Sequence, residues 1–82
     1  MTTQNLIDGL LILKPHYKKP DGYNIGADHD VVYGYPTKKP LPPEDVKKMI
    51  DLGWNQEYSD RDYNKDFAVE DYRPDESWHA YV

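Results

Sequence analysis

The apolar residues of the first segment recur at the spacing of one helical face, and they comprise Leu6, Ile7, Leu10, Leu11 and Leu13. This pattern predicts an amphipathic helix over residues 3–14, with Thr2 or Thr3 available to cap its first turn. Pro15 restricts the backbone of the residue before it and is expected to end the helix there. The run "LLIL" also fits a buried strand, which is the competing interpretation of this segment.

A β-hairpin is predicted in the stretch "YNIGADHDVVYGY". Tyr23 and Ile25 alternate with polar residues, as in a half-buried strand. The second strand would place Val32 on one face and Val31, Tyr33 and Tyr35 on the other. The four residues "ADHD" would then form the connection between the two strands, or a bulge within it.

The clearest helix signal is "PPEDVKKMIDLGW". Pro43 suits the first turn, where its missing N–H is not needed, and Glu44 and Asp45 complement the positive end of the helix dipole. The apolar stripe consists of Val46, Met49, Ile50 and Leu52. Gly53 is expected to stop the helix, and Trp54 is expected to fold back onto it as an anchor of the core.

The last third of the chain is polar and acidic before it becomes apolar again. Residues 59–77 show little periodicity, which predicts a long loop or an insertion that is ordered in part through Phe67, Val69 and Tyr72. The closing run "SWHAYV" alternates large apolar and other side chains, as a strand does.

Together these elements predict a single small α+β domain over residues 1–82, with the element order α-β-β-α-β-β. Two helices would cover an antiparallel sheet of about four strands. Because only 38% of the 82 residues are hydrophobic, the core must be small. Aromatic side chains, each of which buries a large apolar area, are expected to supply much of it.

The chain contains no cysteine, so disulfides and thiolate zinc sites are excluded. The N-terminal apolar run is short, is interrupted by Asp8 and Gly9, and follows no basic segment. We therefore expect neither a signal peptide nor a transmembrane helix, and no association with a membrane. These features are typical of a cytoplasmic protein.

The formal net charge of −5 is unevenly distributed along the chain. Residues 1–43 carry five lysines and four acidic residues, which gives +1, whereas residues 44–82 carry eleven acidic and five basic residues, which gives −6. An acidic half repels phosphate, so direct binding to DNA or RNA is disfavoured. It can instead face a basic protein surface, including one that ordinarily holds nucleic acid.

The triplet Asp28, His29 and Asp30 is the first candidate for chemistry. In an extended strand the two carboxylates would share one face and the imidazole would point to the other, so the three side chains cannot easily bind one metal ion. A metal site would need a further ligand, such as His79 or His16. We favour a polar turn in which His29 packs beneath a tryptophan and bonds a backbone carbonyl, with metal binding as the alternative.

No catalytic machinery or cofactor site stands out in the sequence. Ser59 and Ser77 lie in no nucleophile motif, and cysteine is absent. The stretch "DGYNIGAD" lacks both the spacing and the Lys-Ser or Lys-Thr pair of a P-loop. The chain is also short for an enclosed pocket. We therefore expect a protein that is not an enzyme and that carries no catalytic residue, metal or cofactor.

Four stretches in this order resemble a group of small proteins encoded by phages and bacterial mobile elements: "LLILKPHY", "ADHDVVYGYP", "EDVKKMIDLGW" and "SWHAYV". Members of that group show a leucine-rich helix, an Ala-acid-His-Asp turn, a helix closing on Leu-Gly-Trp and a last strand with tryptophan. The resemblance implies a phage or prophage origin, a location in the host cytoplasm and an accessory role, but no particular biochemical activity. Residues 59–77 are longer than the usual connection in that group.

The acidic segment is the best candidate for a partner-binding surface. Tyrosine provides rigid contact area at low entropic cost, and carboxylates around it would steer the protein toward a basic partner. The candidate residues are Tyr58, Asp60, Asp62, Tyr63, Asp66, Phe67, Glu70, Asp71 and Tyr72. A solvated loop without a partner is the competing interpretation.

Four lysines flank the predicted hairpin: Lys18, Lys19, Lys38 and Lys39. They would either form a small basic edge or protect an exposed strand from pairing with another chain. We favour edge protection, because lysines without arginine make a poor specific reader of phosphate.

The sequence thus predicts a non-catalytic phage accessory protein that binds a host protein and modulates or inhibits it. In its sharpest form the hypothesis is an anti-defence inhibitor that mimics nucleic acid and occupies a nucleic-acid-binding host protein. One alternative is a small metal- or ligand-binding module centred on Asp28, His29, Asp30 and His79. The other is a structural phage protein that works as a homo-oligomer.

Overall fold

The computed structural model describes residues 1–56 and 67–81. Its fold is α+β, as expected from the sequence, with two helices and an antiparallel sheet. Two single 3₁₀ turns accompany these elements, at Lys14–His16 and Val69–Asp71. The regular elements in chain order are α1 (Thr3–Leu13), β1 (Ile25–Asp28), β2 (Val31–Gly34), α2 (Pro43–Asp51) and β3 (Trp78–Tyr81).

Helix α1 forms where the sequence predicts a helix, so the strand interpretation of "LLIL" is wrong. The Thr2 hydroxyl accepts a hydrogen bond from the Asn5 N–H (3.0 Å) and caps the first turn. Only part of the apolar stripe packs inward, and Leu13 is fully buried at its end. Ile7 and Leu11 remain 44% and 60% exposed, because they lie on the side of α1 that turns away from the core.

The hairpin is tighter than the sequence predicts. Asp28 pairs with Val31, so Ala27 and Asp28 belong to β1 and only His29 and Asp30 connect the strands. His29 has a φ of +51°, the sign that a type II′ hairpin turn requires at its first central residue. Tyr23, which was expected in the first strand, precedes it and is fully exposed.

The sheet has the order β1-β2-β3, and a fourth strand is not present in the part of the chain that the structure describes. Asn55 makes one isolated bridge to His79, in which the Asn55 N–H donates to the His79 carbonyl (3.1 Å) and the His79 N–H donates to the Asn55 carbonyl (2.6 Å). Val69–Asp71 forms a tight 3₁₀ turn. The single bridge at Asn55 is too short to form a strand, and this turn lies in the segment that the sequence predicts to be a partly ordered loop.

Strand register divides the sheet into two faces, because directly paired residues point the same way. The inner face carries Val32, Gly34, Trp78 and Ala80 and packs on the helices. The outer face carries Val31, Tyr33, His79 and Tyr81 from β2 and β3. The alternation predicted for Val31, Tyr33 and Val32 is therefore confirmed.

The core joins both helices to the inner face of the sheet. Gly34 leaves room for α1, since a β-carbon there would lie 2.6 Å from Leu13 Cδ1. Tyr17 reaches the sheet from the first 3₁₀ turn, and its hydroxyl donates to the Tyr35 carbonyl (2.7 Å). The buried hydrophobic residues are Leu13, Tyr17, Leu41, Val46, Met49, Trp54, Trp78 and Ala80.

Helix α2 ends as the sequence predicts, and its end delivers Trp54 to the core. Gly53 has a φ of +99°, the left-handed conformation in which glycine carries no β-carbon penalty. Trp54 is 1% exposed, and its indole N–H donates to the Asn5 carbonyl of α1 (3.3 Å). A methyl group at Gly9 would overlap this indole, so α1 needs a glycine at that position.

We predict that Gly9→Ala destabilises the protein although alanine is the better helix former. The gain in helix propensity is about 1 kcal/mol, whereas overlap with a buried ring costs about 1–3 kcal/mol or more. The net free energy of unfolding should fall, and urea denaturation followed by tryptophan fluorescence measures it. Leu11→Ala on the exposed side of α1 is the control and should change stability by about 0.5 kcal/mol or less. A Gly9→Ala protein as stable as wild type would contradict this packing.

Candidate functional site

The sequence-predicted partner-binding set falls partly outside the described residues. Tyr58, Asp60, Asp62, Tyr63 and Asp66 lie in residues 57–66, which the structure does not describe. The remaining members are Phe67, Glu70, Asp71 and Tyr72, and each has a defined place.

The two aromatic members of this set pack against Trp78. The Phe67 ring meets the Trp78 indole edge-on at a centroid distance of 5.7 Å, and the Tyr72 ring stacks on it at 5.9 Å. The Tyr72 hydroxyl also accepts a hydrogen bond from the Leu41 N–H (3.0 Å). Both rings are half-buried, so much of the ring surface that was predicted to contact a partner packs against the core instead.

The two acidic members, Glu70 and Asp71, are exposed on the second 3₁₀ turn. A carboxylate oxygen of Asp71 accepts a hydrogen bond from the Ala68 N–H (3.0 Å) and caps that turn. Glu70 is therefore the described member of the set whose carboxylate is most open to a partner.

Gln56, which sequence reasoning missed, fixes the segment that contains these residues. Its buried side-chain amide donates to the Arg73 carbonyl (2.8 Å) and the Glu76 carbonyl (3.1 Å). Its side-chain oxygen accepts from the Arg73 N–H (2.9 Å). No local pattern signals this role, because the bonded groups lie 17 and 20 residues further along the chain.

The Asp28, His29 and Asp30 triplet is an exposed turn. The His29 ring does not pack beneath a tryptophan, because His29 lies in the connection at the end of the hairpin, where its side chain is 91% exposed. Its Nε2 lies 3.7 Å from the Asp28 carboxylate. His79 is buried further along the sheet, opposite Tyr33.

The metal alternative gains no support from this geometry. Within residues 1–56 and 67–81, no three His, Asp or Glu side chains lie close enough together to hold a metal ion. His16, the other candidate ligand, bonds the Ile12 carbonyl through Nδ1 (3.1 Å) and places Nε2 3.9 Å from the Asp45 carboxylate. It therefore joins the first 3₁₀ turn to the first turn of α2.

An exposed group of tyrosines lies on the outer face of the sheet. Tyr81 and Tyr35, which directly follows β2, are 48% and 43% exposed. Tyr33 is half-buried and meets the His79 ring edge-on at 5.1 Å. A β-carbon at Gly26 would overlap the Tyr35 hydroxyl, so this glycine lets the Tyr35 ring lie across β1. We call Tyr33, Tyr35 and Tyr81 the tyrosine face. Its signals in the sequence were the alternation along β2 and along the last strand.

Three of the four hairpin lysines come together around one cleft. Lys18 and Lys19 lie on one wall and Lys38 lies on the other, and the cleft has a volume of about 410 Å³. We call it the lysine cleft. This placement fits a small basic edge, whereas protection of an exposed strand was the interpretation favoured from the sequence.

No helix in the described part of the chain is long and apolar enough to cross a membrane. No protein-family model, curated protein or solved structure matches this chain. The features of this chain that bear on its function are the tyrosine face, the lysine cleft and the distribution of charge.

Tyr17, beside the lysine cleft, makes the stability of the fold depend on pH in the alkaline range. Burial raises the pKa of Tyr17 from 10.0 to about 12. Between these values the folded protein keeps the phenol proton while the unfolded chain loses it. The stability that this group contributes is thus complete below pH 10 and is lost as the pH rises to about 12.

We predict that Tyr17→Phe reduces this alkaline loss. The variant loses one hydrogen bond, worth about 1 kcal/mol at neutral pH, but its free energy of unfolding should fall less than that of wild type between pH 10 and pH 12. Urea denaturation across this range measures the difference. Tyr23→Phe alters a fully exposed tyrosine and should retain the wild-type loss. Equal losses in Tyr17→Phe and wild type would contradict the assignment.

Proposed function

We propose that this protein is a non-catalytic accessory protein of phage or mobile-element origin that binds a basic surface on a host protein in the cytoplasm. By covering that surface it modulates or inhibits the host protein. The four family-like stretches of the sequence support the proposed origin, and the distribution of charge supports the kind of partner.

The observation that carries the proposal is the tyrosine face. Tyr35 and Tyr81 expose large rings on a sheet whose backbone is fixed by ladder hydrogen bonds. Exposed tyrosines on a rigid support lose little conformational entropy when they bind, which is why they are frequent in binding surfaces. Because the inner face already packs on the helices, the exposed rings of Tyr35 and Tyr81 on the outer face are the part of the sheet that a partner can reach.

Charge determines which partner would fit. Residues 44–82 carry a net charge of −6, and Asp28 points to the outer face at the end of the hairpin. Such a surface attracts a basic partner over distances of about a Debye length and repels nucleic acid itself. A protein that uses lysine and arginine to hold nucleic acid offers the complementary surface, so competition with nucleic acid is the proposed mode of inhibition.

We also propose a role for the acidic segment in binding the partner. Residues 57–66 follow Asn55 and Gln56 in the sequence, and Asn55 is paired with β3. We assign Asp60 and Asp62 to steering the partner and the tyrosine face to the contact itself. In this assignment Phe67 and Tyr72 support the surface from behind, through Trp78.

The test is capture of a partner from host lysate, followed by titration of the purified pair. We expect one stoichiometric partner, which nucleic acid displaces. Tyr35→Ser combined with Tyr81→Ser should weaken binding by about tenfold or more, since buried tyrosines at the centre of an interface are worth about 2 kcal/mol. Tyr23→Ser removes a fully exposed tyrosine outside the sheet and should leave the affinity unchanged.

Charge-reversal variants distinguish the residues that steer the partner from those that contact it. Asp60→Lys with Asp62→Lys should slow association and reduce its dependence on salt. Asp8→Lys with Asp21→Lys makes the same change in net charge in the other half of the chain and should have little effect. The proposal fails if no stoichiometric partner is recovered, or if both reversals and both tyrosine variants bind alike.

A further inference from the structure

The lysine cleft lies beside the hairpin, between the loop before β1 and the segment after β2. Lys18 and Lys19 on the first wall face Lys38 and Thr37 on the second. Tyr23 and Asn24 also line the cleft. Its volume of about 410 Å³ falls within the range of small-molecule sites. The partner surface proposed above uses none of these side chains.

Hydrogen bonds within and between the walls give the cleft a defined shape. The Asn24 side-chain amide donates to the Lys19 carbonyl (2.8 Å), and its backbone carbonyl accepts from the Tyr35 N–H (2.9 Å). On the other wall the Thr37 hydroxyl donates to the Lys39 carbonyl (2.7 Å). The Lys39 N–H donates to the His16 carbonyl (3.1 Å). The loop before β1 is thus tied to the hairpin, and the segment after β2 is tied back to the first 3₁₀ turn.

The charge in the cleft is positive and available. Among the residues that the structure describes, no carboxylate lies within ion-pair distance of Lys18, Lys19 or Lys38. Asp21 is the acidic residue nearest to them in sequence, and its carboxylate lies 3.3 Å from Lys14 Nζ instead. Three ammonium groups around one cleft favour a ligand with a concentrated negative charge, and lysine binds phosphate as a point charge.

Tyr23 adds a flat apolar surface to these charges. Its side chain is fully exposed, so both faces of the phenol ring are open at the cleft. An exposed ring beside positive charges is suited to stacking on a planar ring of the same ligand. The combination of a phosphate subsite and a stacking surface is matched by a nucleotide.

We propose that the lysine cleft binds a nucleoside monophosphate. Lys18, Lys19 and Lys38 hold the phosphate group, and the Tyr23 ring stacks on the base. Asn24 and Thr37 keep the two walls in place through the hydrogen bonds that their side chains donate to the Lys19 and Lys39 carbonyls. The small size of the cleft and the acidic character of the other half of the chain restrict this site to a single nucleotide and disfavour a longer nucleic acid.

The experiment is a titration of the full-length ¹⁵N-labelled protein with adenosine monophosphate, followed by NMR. We expect saturable shifts at amides of residues 17–24 and 37–39, weakened by added salt. Lys18→Gln with Lys38→Gln removes one charge from each wall and should weaken binding by about fivefold, as expected for partly exposed charge contacts. Lys47→Gln with Lys48→Gln makes the same charge change on α2 and should weaken binding by less than about twofold.

The ring contact is tested separately with ribose 5-phosphate, which has the phosphate but no base. Tyr23→Ser should weaken the binding of adenosine monophosphate by about fivefold and change the affinity for ribose 5-phosphate by less than about twofold. Tyr23→Phe should bind both ligands with the affinity of wild type. Equal affinities of wild type for the two ligands would overturn the role of Tyr23. The absence of saturable shifts, or equal weakening by the two lysine pairs, would overturn the site. Because this experiment needs no host protein, its outcome is independent of the proposed partner.

Discussion

The contact between the Trp54 indole and Gly9 is the interaction on which the rest of this fold depends. The left-handed Gly53 turns the chain back at the end of α2, and the indole then fills the space that the missing side chain of Gly9 leaves on α1. The same ring lies close to Gly34 of β2, so one side chain connects both helices to the sheet. In a chain with a small core, a single ring of this size supplies a large share of the buried apolar area.

The aromatic residues divide into two groups with different consequences. Around Trp78, the rings of Phe67 and Tyr72 complete the core, and Gln56 holds their segment in place through three hydrogen bonds. On the other side of the sheet, Tyr35 and Tyr81 find no such burial. The sheet therefore separates the aromatic side chains that stabilise the protein from those that can contact another molecule.

The net charge also differs between the two halves of the chain. Lysines of the N-terminal half gather at the cleft beside the hairpin, whereas the acidic excess belongs to residues 44–82. The positively charged cleft favours an anionic ligand, and the acidic surface favours a basic partner. Each of the two would repel the ligand that suits the other. With this separation, the two proposed binding surfaces would not compete for the same ligand.

Local sequence patterns determined both helices, the hairpin, the glycine stop of α2 and the alternation of β2, because each depends on residues a few positions apart. The detail of the hairpin was missed, since the positive φ of His29 is set by strand pairing and not by the residue itself. Tertiary structure alone decided that Tyr72 supports Trp78 and reaches Leu41, 31 residues away, while Tyr35 and Tyr81 stay exposed. It also brought Lys18 and Lys38 to one cleft, because the chain between them folds back on itself as a hairpin. Sequence patterns thus determined the local elements, whereas packing between distant segments determined which aromatic and basic side chains stay exposed on the surface.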